Sequence, residues 1–295
     1  MIRFFGLLLA LGVLATQDET PPDAAPGELI TIRHRSGEKA REGRLVDGRR
    51  SGAWTAWYAD GTKRYTGSFE NYSRVGEWTF WRADGSKEKH GTFDAKGRRH
   101  GEWRLFDEEE NLLRVARWRS GDAHGLWERF DAGKPMMNHT WSAGAQVGPS
   151  SFFFPDGKTM SRGNIAHGKR EGVWREFFHN EGKRSEGEYA AGREEGAWTH
   201  WFSNGQKDSE GAYLHGLQEG LWRGWHKDGR KRFEGSFIGS SQTGEWTFWW
   251  GSGQVKSKGL AKSGKWVGEW KCYNEDGTPD RSLSGVYDDN GNKVR

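Results

Sequence analysis

Cysteine, proline and branched aliphatic residues are scarce in this chain of 295 residues. The single Cys272 excludes an intrachain disulfide framework and any Cys-based zinc site. Only 33% of residues are hydrophobic, too few Leu, Ile and Val for a conventional two-layer domain of this length. Prolines number 7. Long helical periodicity is missing outside one apolar run, Phe4 to Leu14, which is too short to span a bilayer comfortably. What the chain has instead is rings and glycine. Aromatics make up 14% of it, with 18 Trp, and there are 44 Gly. Disordered chains are poor in aromatics, so disorder is excluded as well. Rings with frequent turns point to many short strands.

The first residues, MIRFFGLLLALGVLA, carry one basic residue, Arg3, ahead of the apolar run. Val13 and Ala15 occupy the −3 and −1 positions of a cleavage site, so residues 1–15 are expected to be a cleaved signal peptide and the mature chain secreted or periplasmic. Residues 16–28 hold Asp18, Glu19, Asp23 and Glu28 with no Lys or Arg, and are expected to be a disordered acidic, Pro-rich linker. The whole chain carries a net charge of +4, and residues 29–295 carry 44 Lys and Arg against 37 Asp and Glu, a modest excess of +7 that gives no reason to expect a nucleic-acid partner.

From residue 29 to the end one pattern recurs. Gly-x-Trp anchors fall at Trp54, Trp78, Trp103, Trp127, Trp174, Trp198, Trp222, Trp246 and Trp270, with Ser150 in the fifth place. The steps are 23 to 25 residues, giving a degenerate first unit (29–51) and ten repeats (52–290). Three residues after each anchor stands a second aromatic: Trp57, Trp81, Phe106, Phe130, Phe153, Phe177, Trp201, Trp225, Trp249 and Tyr273. A third position, about 15 residues after the anchor, holds Phe69, Phe93, Trp118, Trp141, Ile165, Tyr189, Tyr213 and Phe237. Only Trp250 and Trp266 fall outside these columns.

Asp60-Gly61, Asp84-Gly85, Asp156-Gly157, Asn204-Gly205, Asp228-Gly229 and Asp276-Gly277 predict tight type I′ hairpin turns. Gly-x-x-x-Gly, as in Gly48/Gly52 and Gly192/Gly196, predicts a looser reversal between units. Counting outward from a two-residue Asp60-Gly61 loop puts Trp54 opposite Gly67 and Phe69 opposite Gly52, with the indole covering the bare glycine. The same count puts Trp57 opposite Arg64, Trp81 opposite Glu88 and Trp225 opposite Arg232. Strand alternation sends Trp54 and Phe69 to one face and Trp57 to the other. The expected fold is all-β: an elongated single-sheet antiparallel β-hairpin solenoid, stabilised by neighbour-on-neighbour stacking.

The run Tyr65-Thr-Gly67-Ser-Phe69, followed by Gly76 and Asp84-Gly85, resembles the MORN repeat, and Tyr213, Gly216, Gly220 and Gly229 are placed comparably. Trp stands where the usual repeat has the second glycine of its Gly-x-Gly, and in this the chain is similar to the bacterial MORN-variant repeat family, some of whose members carry antitoxin-type labels. The resemblance covers about residues 28–290. It implies a scaffolding role, in some members with membrane-lipid contact, and no single chemistry.

No catalytic constellation accompanies the repeat, and the chain is not expected to be an enzyme or to carry a cofactor or metal. His100 and His124 share a phase, but like positions lie about 10 Å apart, too far to share one metal. Cys272 sits two residues after Trp270 with no His nearby in sequence, as a packed, inert thiol would. Arg49, Arg50, Arg98, Arg99, Lys169, Arg170, Arg193 and Lys265 gather at the Gly-x-x-x-Gly reversals, where charge blocks strand-to-strand aggregation or meets an anion. The anchor Trp column reads as core. The second column, Trp57 to Tyr273, is the candidate binding ladder. The expected function is an exported, protein-binding or scaffolding module at the cell envelope. Two alternatives stand beside it. One is a glycan or cell-wall binder that stacks sugars on its rings; short Trp-rich hairpin repeats also resemble choline-binding cell-wall repeats, which have a different aromatic spacing. The other is an antitoxin or immunity-type protein. The expected partner is a protein, with a cell-wall glycan or anionic lipid surface as alternatives.

Overall fold

The computed structural model describes residues 27–294. The signal peptide and nearly all of the linker therefore lie outside the described residues. The linker assignment runs to residue 28, yet Glu28 already opens the first strand, Glu28–Arg33, because Ile30 and Ile32 pair with Gly43 and Arg41. Among the described residues the chain is all-β, with 23 strands in one long antiparallel sheet and no helix. Successive hairpins pair in chain order. One return strand is interrupted at His124: its first part, Asp122–Ala123, pairs with Trp118 and Arg119, and Gly125–Asp131 continues along the same neighbour, Leu112–Arg119.

The register far from the turns is the one the spacing predicts. Trp54 faces Gly67 and Gly52 faces Phe69, and one unit later Trp78 faces Gly91 and Gly76 faces Phe93. The turns themselves are exchanged. At Asp60-Gly61 only Gly61 has positive φ (88°), the Tyr58 N–H donates to Thr62 O at 2.8 Å, and the Gly61 N–H donates to Tyr58 O at 3.1 Å. This is a type I turn closed by a left-handed glycine bulge, not type I′. The Asp60 carboxylate fixes it by accepting the Thr62 N–H at 2.9 Å. The extra loop residue shifts the adjacent rung. Trp57 faces Lys63 rather than Arg64, Trp81 faces Lys87 rather than Glu88, and Trp225 faces Lys231 rather than Arg232.

The type I′ turns lie at the other reversal. Ala190 pairs with Arg193 around Ala191 (φ 51°) and Gly192 (φ 85°). Gly196 is not part of that turn. It lies inside the strand Arg193–Trp201 with φ 65°, at the point where the ladder slips against Gly187 and Glu188. That slip turns the following indole back over its neighbour.

The indole that covers Gly67 is accordingly not Trp54 but Trp78, from the next unit. Its Nε1–H donates to Ser68 O at 3.2 Å. The pattern repeats. Trp198 lies on Gly187 and donates to Glu188 O, Trp222 lies on Gly211 and donates to Ala212 O, and Trp246 lies on Gly235 and donates to Ser236 O. The third aromatic wedges edge-on between consecutive indoles. Phe69 stands 6.1 Å from Trp54 and 5.0 Å from Trp78, and Tyr213 stands 5.8 Å from Trp198 and 5.1 Å from Trp222. The core is this one-ring-thick column on one face of the sheet.

The two tryptophans outside the columns have structural places. Trp266 stacks on Trp270 at 3.8 Å and 4°, closing the last unit beside Tyr287 of the short strand Gly285–Tyr287. Trp250 donates its Nε1–H to Tyr273 O in the next unit at 3.0 Å. Tyr58 and His226 clamp the same edge through Trp81 O and Trp249 O. The opposite edge is stitched at the type I′ turns, where Glu171, Glu195 and Glu219 accept the N–H groups of Ala191, His215 and Gly239 in the next unit.

Two outcomes check this account. A Gly211→Ala chain places a methyl against the Trp222 ring, an overpacking that should destabilise by about 1–3 kcal/mol in urea denaturation. An unchanged midpoint would contradict the close approach. Hydrogen bonds from Thr62, Ser86 and Thr278 hold the carboxyls of Asp60, Asp84 and Asp276 below the usual aspartate range. A depressed carboxylate contributes stability that is present above its unfolded pKa and lost as pH falls through the folded one. Thermal melts should therefore be flat near neutrality and fall below about pH 4.

Candidate functional site: an aromatic ladder topped by lysines

The two ring columns part company in burial. Trp54, Trp78, Trp103, Trp174, Trp198, Trp222, Trp246 and Trp270 are 1–5% exposed, while all ten members of the second column are half-buried. Trp54 and Phe69 share a face, as alternation predicts, and the second column occupies the other.

A lysine stands over most rings of this ladder. It comes from the first rung of the preceding unit's return strand. Lys39 lies 5.7 Å from the Trp57 ring, Lys63 5.9 Å from Trp81 and Lys87 5.6 Å from Phe106. Lys183, Lys207 and Lys231 stand 4.7, 5.7 and 5.3 Å from Trp201, Trp225 and Trp249. Each such contact at an exposed site is worth about 0.5–1 kcal/mol. In four of the six a glutamate three residues on holds the ammonium in place, as in Lys207 to Glu210 at 2.7 Å and Lys231 to Glu234 at 3.0 Å. The hydrogen bond from Lys231 keeps the Glu234 carboxyl below its ordinary range. In the middle of the chain the lysine position is held by Leu112, Pro135 and Thr159, opposite Phe106, Phe130 and Phe153. Phe177 takes Arg162 instead, at 5.3 Å. The ladder thus has two lysine-topped stretches, Trp57 to Phe106 and Trp201 to Trp249.

The basic residues at the reversals do not form a single charged edge. Arg50, Arg99 and Arg170 fold onto the core face and lie 5.1, 5.1 and 4.3 Å from the Trp54, Trp103 and Trp174 rings. Arg74, not singled out in the sequence, does the same over Trp78 at 4.9 Å. Cys272 is 2% exposed on the anchor face, and burial pushes its thiol pKa up. Among the described residues no three His, Cys, Asp or Glu side chains meet as a metal site requires.

Sequence comparison places one of these units. Residues 242–262 match the family described as MORN repeat variant. The chain carries a MORN repeat variant. The matched stretch spans all but the first residue of the strand Ser241–Trp249, its turn, and the whole of the strand Val255–Lys262, so it contains the anchor Trp246, the ladder residue Trp249 and the glycine Gly259 that lies beneath Trp270. No curated relative matches the sequence. Two solved structures align with most of it, the complexes TcdB2-TccC3-Cdc42 and TcdB2-TccC3-TEV, each at 10% identity and a TM-score of 0.16. These alignments take in 85% and 84% of this chain but 15% and 19% of the other chains. At that TM-score the likeness carries no argument.

The two columns should respond differently to truncation. Trp198→Ala removes a buried indole from between Tyr189 and Tyr213 and should destabilise by about 3–5 kcal/mol. Trp201→Ala removes a half-buried ring and its lysine contact and should destabilise by about 1 kcal/mol. Equal losses in parallel denaturation curves would contradict the division between core column and exposed ladder.

Proposed function

We propose that the chain is an exported, non-enzymatic repeat protein that binds and organises a protein partner at the cell envelope, gripping it along the ladder face. The observation that carries this is the single-file ladder. Ten half-buried rings recur once per repeat; lysines top six of them, and at Trp57, Trp201, Trp225 and Trp249 the lysine is paired with a glutamate. Such a surface offers apolar contacts with charge of both signs at several steps, the mixture that suits a polypeptide more than a uniform polymer. The lysines also bear on the glycan alternative. They occupy the ring faces on which a sugar would stack, so aromatic stacking of carbohydrate is the weaker proposal.

The test is crosslinking and affinity purification from the native envelope with the parent chain and a Trp201→Ala/Trp225→Ala/Trp249→Ala variant. The expected result is a specific protein partner that the variant loses while retaining its circular dichroism spectrum. A partner retained in full by the folded variant, or binding only to cell-wall polysaccharide with Trp quenching, would overturn the proposal.

A further inference from the structure

The repeat is least regular around Trp127, and there the core face opens. In two units a pair of further rings flanks the anchor indole. Tyr65 and Phe80 lie 5.4 and 5.7 Å from Trp78, and Phe233 and Phe248 lie 6.0 and 5.4 Å from Trp246. The residues at the same two register positions beside Trp127 are Arg114 and Arg129. They face each other directly across the ladder, an arrangement of like charges that is destabilising in itself. Among the described residues neither guanidinium forms a salt bridge. The nearest acid on the same strand, Glu128, is turned to the other face, where it meets Arg117 at 3.7 Å.

Next to them lies a cleft of about 270 Å³ lined by Trp127, Met137, His139 and Trp141, the two arginines and Glu128, whose carboxylate is engaged by Arg117. Trp127 is half-buried, unlike the other anchor indoles. His139 occupies the position that is glycine in most units, and Ser150 replaces the tryptophan that would lie on it; His139 Nδ1 and Ser150 Oγ are 2.7 Å apart. The far wall is thus an imidazole tied to a buried serine rather than a closed indole stack. Apart from the guanidiniums, the lining offers little to a polyhydroxylated ligand.

We infer that this cleft binds a carboxylate carried on an aromatic ring, the anion between Arg114 and Arg129 and the ring against Trp127 and Trp141. The ligand supplies a ring where the Trp78 and Trp246 units carry one in their own sequence and neutralises a pair of guanidiniums without a salt-bridge partner. Its source is either the carboxyl terminus of a peptide ending in an aromatic residue or a free aromatic acid. The site lies on the face opposite the ladder and does not depend on it.

The experiment titrates the full chain with 3-phenylpropionate, with a short peptide ending in Phe, and with that peptide as its C-terminal amide. Calorimetry measures affinity, and indole N–H resonances of Trp127 and Trp141 report the location. A ligand of this size should bind with a Kd of about 1 mM. Amidation, or either of Arg114→Gln and Arg129→Gln, should weaken binding about tenfold, the worth of a charge-assisted hydrogen bond. Arg129→Phe supplies the ring found as Phe80 and Phe248 in other units and should abolish binding in a chain that remains folded. A peptide that outbinds the free acid marks a protein terminus as the source, and the reverse order marks a small acid. Acid and amide binding equally, affinity unchanged in both glutamine variants, or no binding up to about 10 mM would overturn the inference. The Trp201/Trp225/Trp249 variant should bind the acid normally, so failure here and failure of the ladder are separable.

Discussion

An indole lying flat on the bare backbone of the preceding hairpin is the contact on which this molecule depends. It has three parts: a glycine with no side chain to keep the ring away, a strand slip at a left-handed glycine that aims the ring, and an Nε1–H donating to the next carbonyl. Because ring and glycine belong to successive units, the contact joins repeats rather than stabilising a hairpin alone. Burial of a tryptophan without a second layer follows directly. The sheet supplies the floor, the third aromatic and the arginine lids supply the walls, and no helix is needed to cover the face.

Placing the apolar core on one face leaves the other free of structural duty except at its margins. The rings there are held by lysines from one side and by the pleat beneath, so they stay half-exposed at fixed spacing. Stitching at both edges limits how far neighbouring units can slide. A surface presented on such a frame is ordered before any partner arrives, which lowers the ordering cost of binding.

Much of this was legible in the sequence. The 24-residue step fixed the unit, the Gly-x-Trp spacing fixed the pairing of Trp54 with Gly67, and alternation separated Trp54 from Trp57. Two features were hidden for one reason: register counting assumes an uninterrupted ladder. A loop with an added residue at Asp60-Gly61 moved the partner of Trp57 from Arg64 to Lys63, and the slip at Gly76 put Trp78, not Trp54, over Gly67. The lysine column was nevertheless present as a 24-residue series, Lys39, Lys63 and Lys87, then Lys183, Lys207 and Lys231. The arginine pair was not visible as a pair. Arg114 and Arg129 hold the register of Tyr65 and Phe80, which comes out only when the slip at the left-handed glycine is counted.

The irregular region around Trp127 and Ser150 shows how a repeat array accommodates a departure. Ser150 would leave a void if it stood on glycine, and His139 would clash if it stood beneath tryptophan; together they exchange the large and small partners and keep the interface filled. Coupling in such an array is chiefly between neighbours, so the cost of this exchange is confined to the adjoining units and the regular stacking resumes at Trp174 on Gly163. A mid-array unit is therefore the place where chemistry can depart from the pattern with least damage to the whole. The guanidinium pair, flanked by Trp127 and Trp141 and without a salt-bridge partner, lies within this irregular stretch.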